Sequence, residues 1–207
     1  MIRGVRMNIQ VVFSVLISFA ISVILGPIVI PFLRRLKMGQ TERVEGVQSH
    51  LKKAGTPTMG GVIFLIAAVV TTLFYAKDYP NVIPVLFLTL GFGIIGFLDD
   101  YLKVVLRRSD GLLAWQKFGL QVVVTGIFVY YILNYTNVDL AMRIPFWPNH
   151  YLNLGWLAIP VLFFAVIGTV IGVNFTDGLD GLASSVTLIV AVFFTVVSIG
   201  MGSGIEP

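Results

Sequence analysis

The sequence predicts an all-α membrane protein, a polytopic bundle of six transmembrane helices that forms one domain over residues 1–207. Hydrophobic residues make up 57% of the chain and charged residues 12%, about half the charged share of an average soluble domain, which is about 25%. Six apolar stretches have the length, roughly 17–25 residues, that crosses about 30 Å of hydrocarbon as a helix. The chain has no cysteine, which excludes disulfides, cysteine-ligated zinc and thiol chemistry.

The first apolar stretch follows Arg3 and Arg6 and is too long for the core of a cleavable signal peptide, so we expect it to be retained. Backbone groups in lipid must be hydrogen-bonded within the chain, and the strict alternation of barrel strands is missing from the sequence, so each span is expected to be helical. In chain order, the predicted spans are Val11–Leu33, Gly60–Ala76, Val82–Leu98, Phe118–Tyr135, Leu157–Val173 and Ser184–Gly202.

The distribution of basic residues predicts the orientation. Ten of the 14 Lys and Arg residues fall in the connections 34–59 and 99–117, and four lie at the other ends of the spans. Because cytoplasmic loops carry the excess of Lys and Arg, these connections are predicted to be cytoplasmic and the N-terminus external. The net charge of +4 is thus an orientation signal, and no nucleic-acid partner is expected. The opposite connection, 136–156, is rich in aromatic residues and predicts an interfacial belt or a short re-entrant turn.

Polar residues concentrate in three connections, 34–59, 99–117 and 174–183, which the alternation of spans places on the same face. Charged groups at membrane depth cost roughly 2.5–3.5 kcal/mol on insertion scales and are therefore functional candidates. Their common placement predicts a single cytoplasmic site.

The first of these connections contains the run KKAGTPTMGG over residues 52–61. One interpretation is a helix start, with Thr56 as the N-cap and Pro57 at the first helical position. The other is an anion site, because free N–H groups at a helix N-terminus and two nearby lysines attract phosphate.

The second polar connection opens with Asp99 and Asp100 at the end of the third span. Adjacent carboxylates there need a compensating cation, either Mg²⁺ or Lys103, which lies four residues from Asp99 on a helix. A solvated helix end with i,i+4 ion pairs is the alternative. The candidate phosphate contacts in this connection are Lys103, Arg107 and Lys117.

The third polar connection is the run NFTDGLDGLASS over residues 174–185, which carries Asp177 and Asp180 and no basic residue. It is either a polar turn that caps the sixth helix through Asp180 or Ser184, or a binding element for a metal or for a nucleobase with N–H donors. Taken together, the three connections suit metal-assisted phosphoryl transfer to a lipid-soluble substrate.

Three runs, GTPTMGG at 55–61, FLDDYLK at 97–103 and the residues 174–183, resemble motifs of the bacterial phospho-N-acetylmuramoyl-pentapeptide transferases, a branch of the polyprenyl-phosphate N-acetylhexosamine-1-phosphate transferases. The resemblance covers nearly the whole chain in order, and the first run is specific to the pentapeptide branch. It implies transfer of phospho-MurNAc-pentapeptide from UDP-MurNAc-pentapeptide to undecaprenyl phosphate. The implied products are lipid I and UMP, with Mg²⁺ as cofactor and the bacterial plasma membrane as location.

Position by position, the resemblance assigns Asp99 and Asp100 to the catalytic aspartate pair and leaves the magnesium ligand unassigned. A phosphate monoester has a second pKa of about 6, so the lipid phosphate is largely dianionic at pH 7, and we favour charge neutralisation and alignment over proton abstraction for this pair. The positions that match the uridine site are Lys53, Thr58, Asn174, Asp177, Gly178, Leu179 and Asp180.

Members of this family have further spans, whose loops carry another magnesium-binding aspartate and a run of histidines, whereas the histidines here are His50 and His150. We therefore expect residues 1–207 to be the N-terminal part of a longer transferase and to be inactive alone. The expected partners are the two substrates and membrane lipid, and a homodimer is left open.

Two alternatives stay open. The first is a related N-acetylglucosamine-1-phosphate polyprenyl transferase. The second is an ion-coupled transporter, but transporters place ionisable residues near the bilayer midplane, whereas the acidic residues here are predicted at the cytoplasmic rim.

Overall fold

The computed structural model describes residues 2–35, 59–106, 111–136, 141–144, 150–177 and 181–204. The chain divides into two compact units, residues 14–132 and residues 1–13 with 133–207. The helices are α1 (Ile2–Arg35), α2 (Gly61–Tyr75), α3 (Ile83–Val104), α4 (Ala114–Tyr135), α5 (Ala158–Thr176) and α6 (Leu182–Gly204), and the strands are β1 (Ala141–Arg143) and β2 (Tyr151–Asn153).

Each predicted span corresponds to one helix, which confirms the all-α membrane class. Within the described residues, four helices are long and apolar enough to cross a membrane, and two more are shorter and apolar. Large apolar side chains such as Phe164 and Trp156 are 82% and 76% exposed. Lipid tails are a natural solvent for such a surface, because they are as apolar as the side chains themselves. The side of the membrane on which each end lies stays a prediction.

Prolines occur inside one helix as well as at helix starts. Pro84 and Pro160 lie in the first turns of α3 and α5, where the missing N–H has no helical acceptor to lose. Pro27 and Pro31 lie inside α1, which continues to Arg35 rather than ending at the predicted Leu33. Interior prolines are tolerated in membrane helices, where neighbouring groups satisfy the freed carbonyls.

In the unit 14–132, α2 packs on α3, and α3 approaches α4 closely at Gly91. A Cβ atom at this position would lie 2.6 Å from Cγ1 of Val124, so a larger residue would force the two helices apart. Leu33 and Met59 are buried together, and Val104 packs against them. The end of α1, the residue before α2 and the end of α3 therefore meet in this unit.

The start of α2 differs from one interpretation of the sequence. The helix begins at Gly61 with Gly60 as its N-cap, so the placement of Thr56 as N-cap and Pro57 as first residue is wrong for this helix. Met59 has a φ of 67°, a left-handed conformation that a non-glycine residue rarely adopts. Its side chain is 7% exposed, and this burial offsets the backbone strain.

The connection between α4 and α5, in the other unit, contains a short hairpin. β1 pairs antiparallel with β2, with Met142 opposite Leu152. The sequence analysis predicted an aromatic belt or a re-entrant turn here and no strand. Three-residue strands are too short to show a readable alternation of apolar and polar residues, which explains the difference.

Candidate active site at the helix ends

The candidate site in the unit 14–132 is built on the last turns of α3. Asp99 lies there and is 5% exposed, although it is a carboxylate. Acidic side chains are almost never fully buried without a partner. The partners of Asp99 therefore decide what this residue does.

Both oxygens of the Asp99 carboxylate accept hydrogen bonds. Lys103 Nζ donates to Oδ2 over 2.8 Å, and Lys117 Nζ donates to the same oxygen over 3.2 Å. The backbone N–H of Leu112 donates to Oδ1 over 2.9 Å. One carboxylate thus joins the end of α3, the connection that follows it and the first turn of α4, and the three charged groups together carry one net positive charge.

Gly111 allows the chain to turn against this carboxylate. Its φ is +59°, and a Cβ atom there would lie 2.5 Å from Asp99 Oδ1. An L-residue would be strained in this backbone conformation and would also collide with the buried carboxylate. After this turn, Gln116 Oε1 accepts a hydrogen bond from the backbone N–H of Leu113 over 3.1 Å, and α4 begins at Ala114.

The two lysines are less buried than the acid between them. The side chains of Lys103 and Lys117 are 43% and 28% exposed, against 8% for Asp99. An ammonium group has three N–H donors, and among the described residues each of these groups donates to Asp99. The remaining donors give the cluster the capacity to bind an anion such as a phosphate.

Of the other predicted residues of this region, the structure describes some and not others. Asp100 follows Asp99 on α3 and is half-buried. Tyr101 is also on this helix, and its ring stacks on that of Phe97 with centroids 6.2 Å apart. Lys53, Thr58 and Arg107 lie outside the described residues.

The unit that contains residues 133–207 carries the other predicted cluster. Asn174 is exposed and lies in the last turn of α5. The prediction of a connection that begins at residue 174 is therefore wrong for residues 174–176. Asp177 is the exposed C-cap of this helix. The remaining predicted residues of the cluster, Gly178, Leu179 and Asp180, lie outside the described part of the chain.

The start of α6 corrects another interpretation. Ser184 is inside this helix, which begins at Leu182, so Ser184 is not its N-cap. Gly181 precedes the helix with a φ of +79°, and its carbonyl accepts hydrogen bonds from the backbone N–H of Ser185 over 2.9 Å and from its hydroxyl over 2.6 Å. Whether Asp180 caps the helix is a prediction outside the described residues.

The described residues do not fit a complete magnesium site. They contain no group of three acidic or histidine side chains that could hold a metal ion. Asp99 is a poor magnesium ligand in this arrangement, because both of its oxygens already bind cationic or N–H donors.

Sequence reasoning found Asp99 and its i,i+4 partner Lys103 but missed the rest of the cluster. It treated Lys117 as a phosphate contact only, and it did not identify Gly111 or Leu112. The one signal was the glycine itself, since a glycine between two helices favours a tight turn. Nothing in the spacing showed that this turn folds back against Asp99.

Residues 82–205 match the family model described as glycosyl transferase family 4. The match covers more than half of the chain, which therefore belongs to this family. Residues 53–65 match a second model, the phospho-N-acetylmuramoyl-pentapeptide-transferase signature 1. That match includes the run GTPTMGG at 55–61, which resembles the pentapeptide branch of the family.

Curated relatives carry the same name as the signature. The chain is 51% identical over 189 residues to the phospho-N-acetylmuramoyl-pentapeptide-transferase of Acetivibrio thermocellus, covering 90% of this chain and 56% of the relative. It is 45% identical over 193 residues to that of Caldicellulosiruptor bescii, covering 93% and 59%. The protein of Clostridioides difficile is 46% identical over 185 residues, covering 89% and 57%. The chain thus spans little more than half the length of these relatives.

Proposed function

We propose that this chain is part of a phospho-N-acetylmuramoyl-pentapeptide transferase, which joins UDP-MurNAc-pentapeptide to undecaprenyl phosphate and releases UMP. The observation that carries the proposal is the match of residues 53–65 to the signature of that enzyme. The lysine pair held by Asp99 at the end of an apolar bundle agrees with it, since it suits phosphate binding next to a lipid-soluble substrate.

The proposed reaction is a direct in-line displacement at phosphorus. An oxygen of the undecaprenyl phosphate forms a bond to the β-phosphorus of the UDP-sugar, and the bond from this phosphorus to the bridging oxygen breaks. The electron pair leaves with UMP. The lipid phosphate is largely dianionic at pH 7 because its second pKa is about 6, so the step needs little proton abstraction.

This chain contributes positioning and charge to the proposed step. Lys103, Lys117 and Arg107 bind phosphate oxygens of the UDP-sugar, in the bound substrate as well as in the transition state. Asp100 is the proposed catalytic carboxylate that aligns the reacting groups. The expected magnesium cofactor would neutralise diphosphate charge when bound, and its ligands are not assigned to the described residues.

The uridine site is proposed in the second acidic cluster. Uracil presents one N–H donor between two carbonyl acceptors, so a carboxylate such as Asp180 matches the donor. Lys53 and backbone N–H groups near Gly178 and Leu179 match the acceptors. The further proposed contacts of the nucleotide are Thr58, Asn174 and Asp177.

The proposed location is the bacterial plasma membrane with the active site on its cytoplasmic face. The basic connections support this orientation, because cytoplasmic loops carry the excess of Lys and Arg.

The test is a transfer assay with the purified full-length protein, UDP-MurNAc-pentapeptide and undecaprenyl phosphate. We expect release of UMP together with a lipid-linked product, each dependent on both substrates. Transfer from UDP-N-acetylglucosamine but not from UDP-MurNAc-pentapeptide would contradict the proposal and favour the related transferase. Absence of UMP with either donor would contradict both.

A further inference from the structure

Asp99 and Asp100 are neighbours in sequence but have different surroundings. The side chain of Asp99 is 8% exposed and its two oxygens bind two ammonium groups and one backbone N–H. Successive residues of an α-helix point about 100° apart around its axis, so Asp100 is directed to another side of α3. The two carboxylates are therefore not interchangeable, although the sequence presents them as a pair.

We propose that Asp99 is a positioning residue, which acts through Lys103 and Lys117 and does not itself contact the reacting phosphates. The proposal rests on the proposed function for the identity of those phosphates. The contact of both ammonium groups with one oxygen of Asp99 does not depend on that proposed function.

The physical argument begins with the two lysines. Like charges repel, and a lysine side chain loses considerable rotamer entropy when it is fixed. Asp99 opposes both effects, because its Oδ2 attracts Lys103 and Lys117 to one point. The pair is then already ordered and keeps further N–H donors, so an anion need not order the lysines itself.

The second step concerns how the carboxylate is held. Lys103 is on the same helix as Asp99, whereas Lys117 is on α4 and Leu112 is in the turn before it. These contacts fix the carboxylate from three elements, and Gly111 lies so close that a Cβ atom there would be 2.5 Å from Oδ1. A group held in this way is suited to orient others and poorly suited to accept a proton or to move onto a substrate.

The first test measures the lysines directly. The full-length protein and its Asp99→Asn variant are treated with trace acetic anhydride, and acetylation of each lysine is read by peptide mass spectrometry. In the unaltered protein Lys103 and Lys117 should react more slowly than the exposed Lys77. In Asp99→Asn both should react about tenfold faster, on the scale of a lost hydrogen bond to a charged group. Unchanged rates for both lysines would overturn the proposal.

The second test is a double-mutant cycle on the transfer reaction. Asp99→Asn should raise the KM for the UDP-sugar about tenfold and change kcat less than about threefold, because the lost lysine alignment affects substrate binding. Lys117→Gln keeps N–H donors but removes charge. If Asp99 acts through the lysines, the combined variant should be little worse than the poorer single variant. Fold-changes that multiply, or a loss confined to kcat, would overturn the proposal.

Two provisions keep the result interpretable. If Asp99→Asn does not fold, Asp99→Glu replaces it in the same cycle, since it keeps the charge but displaces the carboxylate by the length of one methylene. If the unaltered protein releases no UMP from UDP-MurNAc-pentapeptide, the proposed function fails, and the acetylation rates still decide whether Asp99 holds the two lysines.

Discussion

Carboxylates near the ends of two helices of this chain have different surroundings. Asp99, near the end of α3, is 5% exposed and binds Lys103, Lys117 and the N–H of Leu112. Asp177, at the end of α5, is exposed, and within the described residues it forms no ion pair. The C-terminal end of a helix carries partial negative charge, which makes a carboxylate at that position unfavourable without a counter-group.

This difference in surroundings separates the expected roles of Asp99 and Asp177, which the sequence presents as similar residues. Where the protein supplies the counter-ions, as at Asp99, the carboxylate organises its own lysines. Asp177 is exposed, so its carboxylate is accessible to solvent and to the nucleotide of the proposed function. We therefore expect changes in the two regions to affect different measured quantities.

The largest effect is expected for Asp100→Asn. This substitution keeps the size of the side chain and removes its charge beside the proposed reacting phosphates. Turnover should fall roughly 10²-fold or more, the scale of a lost electrostatic contact of about 2.7–4 kcal/mol. Steady-state kcat in the full-length protein measures it. Asp78→Asn, on an exposed turn after α2, is the matched control, and equal kcat in both variants would remove Asp100 from the proposed machinery.

The next effect concerns nucleotide recognition by the second region. Asp180→Ala should weaken uridine nucleotide binding by about tenfold or more, because a hydrogen-bonded partner of a buried base is worth about 1–3 kcal/mol. Affinity for undecaprenyl phosphate should change little. Calorimetry with UMP and with the lipid phosphate separates the two, and an equal loss for both would place the base-reading element elsewhere.

A smaller effect, on stability, is expected for Gly111→Ala. The positive φ of this residue strains any L-side chain, and the added Cβ would lie 2.5 Å from Asp99 Oδ1. Strained backbone of this kind costs about 1–3 kcal/mol, and displacement of the carboxylate adds to it. Thermal unfolding in detergent should show a lower midpoint, together with faster acetylation of Lys103 and Lys117. An unchanged midpoint would mean that this turn does not hold the cluster.

The smallest effect is expected for Gly181→Ala, the matched change in the second region. Its φ is +79°, but no described atom lies within 4 Å of the added Cβ. Within the described part of the chain only the backbone strain applies, on the order of 1–2 kcal/mol. The unfolding midpoint should fall less than for Gly111→Ala. A larger fall would show that the second region is as closely packed as the first.

The helices could be predicted from the sequence because an apolar run long enough to cross a bilayer has few other stable conformations. The pair Asp99–Lys103 could also be predicted, since it needs only the periodicity of one helix. The contact of Asp99 with Lys117 could not, because it depends on how α4 packs on α3 and on the turn at Gly111. Likewise, the left-handed Met59 needs burial by tertiary contacts that local sequence does not encode.

The sidedness of the two regions tests most directly whether they serve one cytoplasmic site. The chain has no cysteine, so single cysteines at Gln48, Ser109 and Thr176 can be labelled with a membrane-impermeant maleimide in vesicles of either orientation. All three positions should react from the cytoplasmic side. Reaction of any one of them only from the external side would contradict a single cytoplasmic site.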